Sequence, residues 1–568
     1  MNNMRNSNIL NSKYLEYCRR WVEENGFSDL VYDWYKVFDM YKTYEFSIKY
    51  LKKEDRIFFG GAYHDQSMLM LARLGYKKIV GMDLDKRIYD EKYFWKIKYY
   101  WGNILDTHLP PSFFKAYFAL SVIEHLDYIE NPLIREILNR LPIPFKGSII
   151  FKKIDAFFKE AKRILKNGGY LVITTDYNDE EFHSFGWHIF NENSIKRIIE
   201  IAKNYGFELI SDLETKIIDR PVIHENKQYT FIFLVFKLKK QENKRKIREV
   251  NIISPMRPNE GITIYSEHLK RRFEEIGIKV NLCKDYKECK KGVPTIFEYE
   301  TGLLQDIRKL PRNVLIEIHS TVPDILSLFL RLIGARGYGK SSSQVSWPLS
   351  IRIKRYVMNF PFMLRNILAF RKYTVLVRAN EFGPKNMKYY IMPHILYPDF
   401  GIRANPKNIC LGSFGFAFPF KNFDKICELA IRLNVPLKLL LSINRSNDVA
   451  EKTCRLYANY IKERYGKYKN IKIKIGFFTD EEILRELSEC SHIIFAQSET
   501  KQTSGSYRFP LQLGIPIIAT ESFQAKEAQV YRVKSLDEIT TEKLKEEFKE
   551  PINMDDGFEY LLAILENL

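Results

Sequence analysis

The chain has 568 residues, 45% hydrophobic and 28% charged, a globular composition that excludes disordered and fibrous classes and predicts two or three domains. Its net charge of +19 points to an anionic partner: nucleic acid, a membrane face or a phosphorylated substrate. The seven cysteines are scattered and include no CxxC pair, which argues against a zinc site or disulfide framework and favours a reducing compartment. No signal peptide is expected from the polar residues 1–20, and no apolar window reaches the length of a bilayer span.

Residues 10–50 are amphipathic and aromatic and predict helices that cover the next domain. RIFFGGAYHDQSMLMLARLGYKKIVGMDLD then predicts a strand over 56–59, a turn at Gly60 and Gly61, a helix over 65–74 and a strand over 78–82 that ends on Asp83. A glycine turn brings a ligand close to a helix N-terminus, and an acid about 20 residues on can hold ribose hydroxyls. GNILDTHLP is a polar loop after a strand, and FFKAYFALSVIEHL is a strand that ends in Ser121 and runs into Glu124 and His125. FFKEAKRILKNGGYLVITTDY predicts a helix, a turn at Gly168 and Gly169, and a strand.

SVIEHL, RILKNGGYLVITT and the later HIFNENSIKRIIEIAKNYGFELI resemble the ordered segments of a class I S-adenosylmethionine-dependent methyltransferase over about residues 50–238. The resemblance implies a Rossmann-like domain and S-adenosylmethionine as cofactor. Gly60 and Gly61 would line its methionine part, Asp83 its ribose and Asn103 its adenine, with 121–125 facing the reaction centre. His125 is the first candidate for the base that takes a hydroxyl's proton, with His183 or His188 second. No N-P-P-[YW] element of amino-methylating enzymes is present, which favours oxygen as acceptor. Phe58 and Phe59 precede the turn, and Ala62 and His64 stand where further glycines would; a scaffold domain without cofactor is the alternative.

KLKKQENKRKIREV places Lys or Arg at seven positions from Lys237 to Arg248, between two apolar strands, and marks a boundary where few contacts would cross. The expected organisation is a methyltransferase domain with a helical extension over 1–240, a linker over 241–248, a first lobe over 249–400 and a second over 401–568.

After VNIISP, Gly261 opens a helix over 262–276; strands then release Glu298 and His319 at the sheet edge where open α/β folds bind ligands. NICLGSFGFAFPFKNFDKICELA begins the second lobe with another strand, glycine loop and helix. GITIY, EYETG, HSTVP, GFAFPFK and KQTSGSYRFPLQLGIPI, in that order, resemble a family-four-like, retaining GT-B glycosyltransferase over about 250–530. The resemblance implies two Rossmann-like lobes and a nucleotide-sugar donor of unspecified base and sugar. Lys421, after the loop at Gly412 and Gly415, would neutralise the diphosphate, Arg445 would add a cation, and Thr503, Ser504, Gly505 and Ser506 would offer N–H groups and hydroxyls at a helix start. His319 and Glu298 would face sugar or acceptor.

Between 325 and 380 there is no Asp or Glu, yet ten Lys or Arg stand among Leu, Ile and Phe. This insertion fits a patch touching anionic lipid or a lipid-phosphate acceptor, or a pair of core helices whose charges reach outward. No RNA-binding module is recognisable, so nucleic acid is disfavoured. The combined expectation is an α/β chain with two activities, glycosyl transfer and O-methylation, acting on a glycan or lipid-linked saccharide in surface polysaccharide or glycoconjugate synthesis. It would work in the cytoplasm, at the inner face of the membrane. The alternatives are a glycosyltransferase with an inactive scaffold domain, and an RNA-modifying methyltransferase with a binding module.

Overall fold

A computed structural model describes residues 7–90, 96–128, 133, 136, 143–239, 247–254, 256, 261–299, 307–308, 310, 314–318, 369–370, 372–377, 388–444, 448–497, 507–521, 530–550 and 556–567. The chain divides into two compact units, Met1–Lys244 and Arg245–Leu568.

In the first unit, α1 (Ser12–Glu24) starts where the Asn11 side chain accepts from Tyr14 N, supplying a helix start with its missing partner. It packs on α2 (Val37–Tyr50) through an aromatic cluster in which Tyr14, Trp21 and Tyr41 meet edge to face, an arrangement suited to ring quadrupoles. The strands are β1 (Arg56–Gly60), β2 (Lys78–Asp83), β3 (Ile97–Trp101), β4 (Phe114–Leu120), β5 (Leu165–Tyr177), the hairpin β6 (Phe182–Ser184) and β7 (Trp187–Ile189), then β8 (Phe207–Leu209), β9 (Val222–His224) and β10 (Lys227–Leu238). The main sheet runs β3-β2-β1-β4-β5-β10-β8, with β9 beside β10. Its first five strands are parallel; β10 runs antiparallel to both its neighbours, β5 and β8, so β8 points the same way as the first five. Helices α3 (Gln66–Arg73), α4 (Ile143–Ile164) and α5 (Glu192–Asn204) connect them. The predicted turn at Gly168 and Gly169 lies inside β5: the pairing of β4 jumps from Leu165 to Tyr170, so the extra residues bulge out and the strand continues.

The second unit holds two parallel sheets. The first comprises β11 (Glu249–Ile253), β12 (Lys279–Cys283), β13 (Thr295–Tyr299), β14 (Val314–Ile318), β15 (Thr374–Val377) and β16 (Tyr389–Ile391), in the order β12-β11-β13-β14-β15-β16, with α6 (Gly261–Glu275) crossing from β11 to β12. The second comprises β17 (Leu411–Phe416), β18 (Leu437–Ser442), β19 (Ile471–Gly476), β20 (His492–Phe495), β21 (Ile517–Thr520) and β22 (Tyr531–Val533), in the order β19-β18-β17-β20-β21-β22. That is the doubly wound nucleotide-binding order, and the first lobe follows the related flavodoxin-like one. Helices α7 (Phe423–Leu433), α8 (Asp448–Tyr465), α9 (Asp480–Leu487), α10 (Arg508–Leu513) and α11 (Thr541–Glu546) belong to the second lobe.

The last helix, α12 (Gly557–Leu565), returns to the first lobe. Its cap Asp556 accepts from Phe558 N at 3.0 Å and Leu396 N at 3.1 Å with one oxygen and from Arg272 at 2.8 Å with the other. Gly557 lies so close that a Cβ there would come 1.9 Å from Pro393 O. Among the described residues no helix is long and apolar enough to cross a membrane. Because Asp556 combines a cap with a charge-assisted bond, Asp556→Ala should destabilise the second unit by about 2–4 kcal/mol. Urea unfolding followed by far-ultraviolet circular dichroism measures the shift; an unchanged midpoint would mean the bridge carries no stability.

Candidate functional sites

In a doubly wound sheet, ligands lie outside the carboxyl ends of the strands, where the strand order reverses. In the first unit that point lies between β1 and β4, so Gly60 and Ser121 border it. Asp83 closes β2 with its carboxylate partly exposed; it accepts from Tyr63 N at 3.1 Å and Asp85 N at 2.8 Å. Asn103, exposed beyond β3, accepts from Leu105 N at 2.9 Å. Ser121 has left-handed backbone, φ 52°, and its hydroxyl lies 3.5 Å from Asp39 of α2.

The two glycines have internal reasons to be glycine. A Cβ at Gly60 would sit 2.7 Å from Tyr117 Oη, and one at Gly61, where φ is +70°, would sit 2.5 Å from Val122. The N–H groups of Gly61 and Ala62 both donate to Met82 O. At His64, one of the two positions where the sequence resemblance expected a further glycine, the ring stacks on Tyr63 at 3.9 Å and lies 5.0 Å from that of Tyr32. The fit to a nucleoside cofactor therefore rests on Asp83 and Asn103: a carboxylate with acceptor capacity to spare and an exposed amide, on neighbouring strand ends.

The structure adds residues that the motifs did not single out. Lys36 reaches Asp39 at 3.7 Å and lies over the Phe231 ring at 4.7 Å. Asp39, Glu124 and Asp176 are buried around it. Burial raises the Asp39 carboxyl against the pull of Lys36, and raises Glu124 to about 7. Asp176 also rises to about 7, from burial first and the Glu124 charge second, although Trp187 donates to it at 2.7 Å. The signal was present as a lysine and an aspartate in the apolar run VFDMYKTYEF and just before it.

The His125 ring meets Gly186 O at 2.5 Å through Nδ1. A carbonyl can only accept, so Nδ1 carries the proton and Nε2 keeps its lone pair. The residue shows an exposed edge, yet the protein around its ring desolvates the charged form and lowers its pKa, with the Gly186 bond opposing. The second-choice bases are walled in. His183 and His188 are buried and meet Nδ1 to Nδ1 at 2.7 Å; His188 Nε2 is bound to Asp127 at 2.9 Å and His183 Nε2 lies 3.2 Å from Glu181.

In the second unit, Glu298 is not released at the strand edge. It is the fourth of five residues in β13, 0% exposed, because pairing with β14 runs on to Tyr299 and Ile318. It faces Glu317, which accepts from Tyr265 at 2.6 Å. Gly412 likewise lies within β17 and not in a loop; a Cβ there would come 2.6 Å from Ile493 and 2.8 Å from Cys490 Sγ. Gly415, at φ 139°, also lies within that strand, whose pairing with β18 runs on to Phe416. Lys421 follows in the turn Pro419–Lys421, half-buried, with its ammonium 5.6 Å from the Phe420 ring. Burial lowers its pKa to about 8, and no ion pair with it is found among the described residues. His319, Arg445, Thr503, Ser504, Gly505 and Ser506, and most of 325–380, lie outside the described residues. Arg508 is bound to the first lobe, donating to Tyr397 Oη at 2.9 Å.

No protein-family model and no curated protein matches this chain. Solved structures similar to it include an S-adenosylmethionine-dependent methyltransferase from Methanosarcina mazei, 14% identical over 34% of this chain and 98% of that one, with TM-score 0.26. Sucrose-phosphate synthase from Thermosynechococcus elongatus is 13% identical over 56% of this chain and 95% of that one, with TM-score 0.36. A second methyltransferase, from Mesorhizobium loti, is 12% identical over 34% and 96%, with TM-score 0.23. By its own strand orders, the chain joins a methyltransferase-like fold to a two-lobed, GT-B-like pair of Rossmann-like sheets.

The buried acids carry a pH signature. A carboxyl that titrates near 7 when folded and near 4 when unfolded keeps its proton in the native state between those values. Stability is then full below about pH 4 and is lost as pH rises towards 7. The first unit should lose about 2 kcal/mol or more between pH 5 and pH 8, and Glu124→Gln should flatten that slope. Five of the six tryptophans lie in this unit, so indole fluorescence during urea unfolding at several pH values reads it. A slope identical in the variant would show that Glu124 titrates normally.

Proposed function

We propose that the chain is a bifunctional glycan-modifying enzyme: the second unit transfers a sugar from a nucleotide donor, and the first methylates a hydroxyl using S-adenosylmethionine. The observation that carries this reading is Lys421. A half-buried cation with lowered pKa stands beyond β17, at the strand-order reversal of a doubly wound sheet, with no ion pair among the described residues. A diphosphate is the counter-charge such a position suits.

In the first unit, Asp83 and Asn103 would hold the ribose and adenine of the cofactor, which supplies an electrophilic methyl group when bound. His125, neutral and with Nε2 available, suits the removal of a proton from an acceptor hydroxyl. The acceptor would be a glycan or lipid-linked saccharide of surface polysaccharide or glycoconjugate synthesis, held at the cytoplasmic face of the membrane by the basic, apolar stretch 325–380. One observation favours a second reading, in which the first unit is a scaffold: the turn at Gly60 and Gly61 is filled by Tyr117 and Val122, and its N–H groups are already used.

Calorimetric titration of the full chain with S-adenosylhomocysteine and with nucleoside diphosphates separates the readings. Binding of both supports two activities; diphosphate alone supports the scaffold. Lys421→Ala should weaken diphosphate binding about 10–100-fold and leave S-adenosylhomocysteine untouched. Asp83→Ala should do the reverse by a similar factor. Unchanged diphosphate affinity in the lysine variant would remove Lys421 from the donor site.

A further inference from the structure

The amino ends of β17 and β20 bring two thiols together. Cys410 Sγ and Cys490 Sγ are 4.0 Å apart, although 80 positions separate them in the chain. A disulfide bond is about 2 Å long, so rotation about the two side chains has to close the remaining gap. Two bonds already tie Cys410 to the residue after Cys490: Ser491 N donates to Cys410 O at 2.8 Å, and Cys410 N donates to Ser491 Oγ at 2.9 Å. Gly412 makes the room, since a Cβ there would come 2.8 Å from the Cys490 sulfur.

The two thiols differ in the way an attacking and a resolving cysteine differ. Cys410 is partly exposed, whereas Cys490 is buried. The contact with the Cys490 sulfur lowers the Cys410 pKa, and the Lys438 and Lys472 charges add to this against the opposing effects of burial and Glu489. Cys490 is raised by the same contact and by burial. Cys289, the other partly exposed cysteine, is pushed up to about 12 by burial and by Cys283.

We propose that Cys410 and Cys490 are a redox-modification site, at which a low-molecular-weight disulfide such as oxidised glutathione converts the pair into an internal disulfide. The Cys410 thiolate attacks one sulfur of the oxidant, whose S–S bond breaks and releases a thiolate that takes a proton from water. The Cys490 thiol gives its proton to water and attacks the Cys410 sulfur, expelling the second thiol. Two protein thiols are oxidised and one small disulfide becomes two thiols. The new bond ties together the amino ends of β17 and β20, whose carboxyl ends border the strand-order reversal at Lys421.

The test is peptide mapping of the full, reduced chain after incubation with oxidised glutathione, alkylation and digestion without reductant. The expected result is a linked peptide pair carrying Cys410 and Cys490, loss of both from the alkylated pool, and recovery of both with dithiothreitol. Cys490→Ser should stop at a glutathione adduct on Cys410. Because that variant replaces a buried residue, the mapping of the unaltered chain stands on its own. Full alkylation of both cysteines, a persistent adduct on Cys410 without linkage, or linkage of Cys410 to another cysteine would each overturn the proposal.

Discussion

A parallel strand needs a crossover to reach its neighbour, and right-handed crossovers send connections leaving opposite sides of a strand to opposite faces of the sheet. In this chain that constraint acts three times, between β1 and β4, between β11 and β13, and between β17 and β20. In folds of this kind such a reversal opens a crevice outside the carboxyl ends of the two strands. Asp83, Asn103 and Ser121 gather around the first reversal and Lys421 stands at the third. The same geometry explains why β17 and β20 pair only at Leu411–His492 and Gly412–Ile493: the strands are held where they begin and part where they end.

Charge is treated differently in the two units. Beside β4, Asp39, Glu124 and Asp176 are buried around Lys36, and several carboxylates share one ammonium. Desolvation then exceeds the Coulombic return, and the acids keep their protons to higher pH. Beyond β17 the opposite holds: a single ammonium is half-buried without a described ion-pair partner, and desolvation lowers its pKa. The first arrangement balances charge within the protein; the second leaves a cation for which an anionic ligand is the natural complement.

Glycine and histidine show how a motif's residue types can serve packing. Gly60 and Gly61 admit Tyr117 and Val122, and Gly412 admits Cys490 and Ile493. His183 and His188 are buried with Asp127 and reach Glu181 at the surface, whereas His125 keeps an exposed edge and one unprotonated nitrogen. The difference is set by the β6–β7 hairpin, whose turn offers the Gly186 carbonyl to His125 and its N–H to Asp127.

The alternation of apolar runs, glycine turns and amphipathic helices was enough to read the α/β class and most strand positions, because strand burial and helix period are local properties of a sequence. Asp83 at the end of β2 and Lys421 beyond β17 were legible for the same reason, since each lies a few residues past a strongly apolar strand. The bulge that absorbs Gly168 and Gly169 was not legible, because it depends on the register between β4 and β5. Nor was the burial of Glu298, which follows from pairing one residue beyond the expected strand end. Lys36 near Glu124, and the approach of Cys410 to Cys490, join segments far apart in the chain. Local pattern determined which elements form; only the packing of distant segments decided which side chains lose their water and which of them meet.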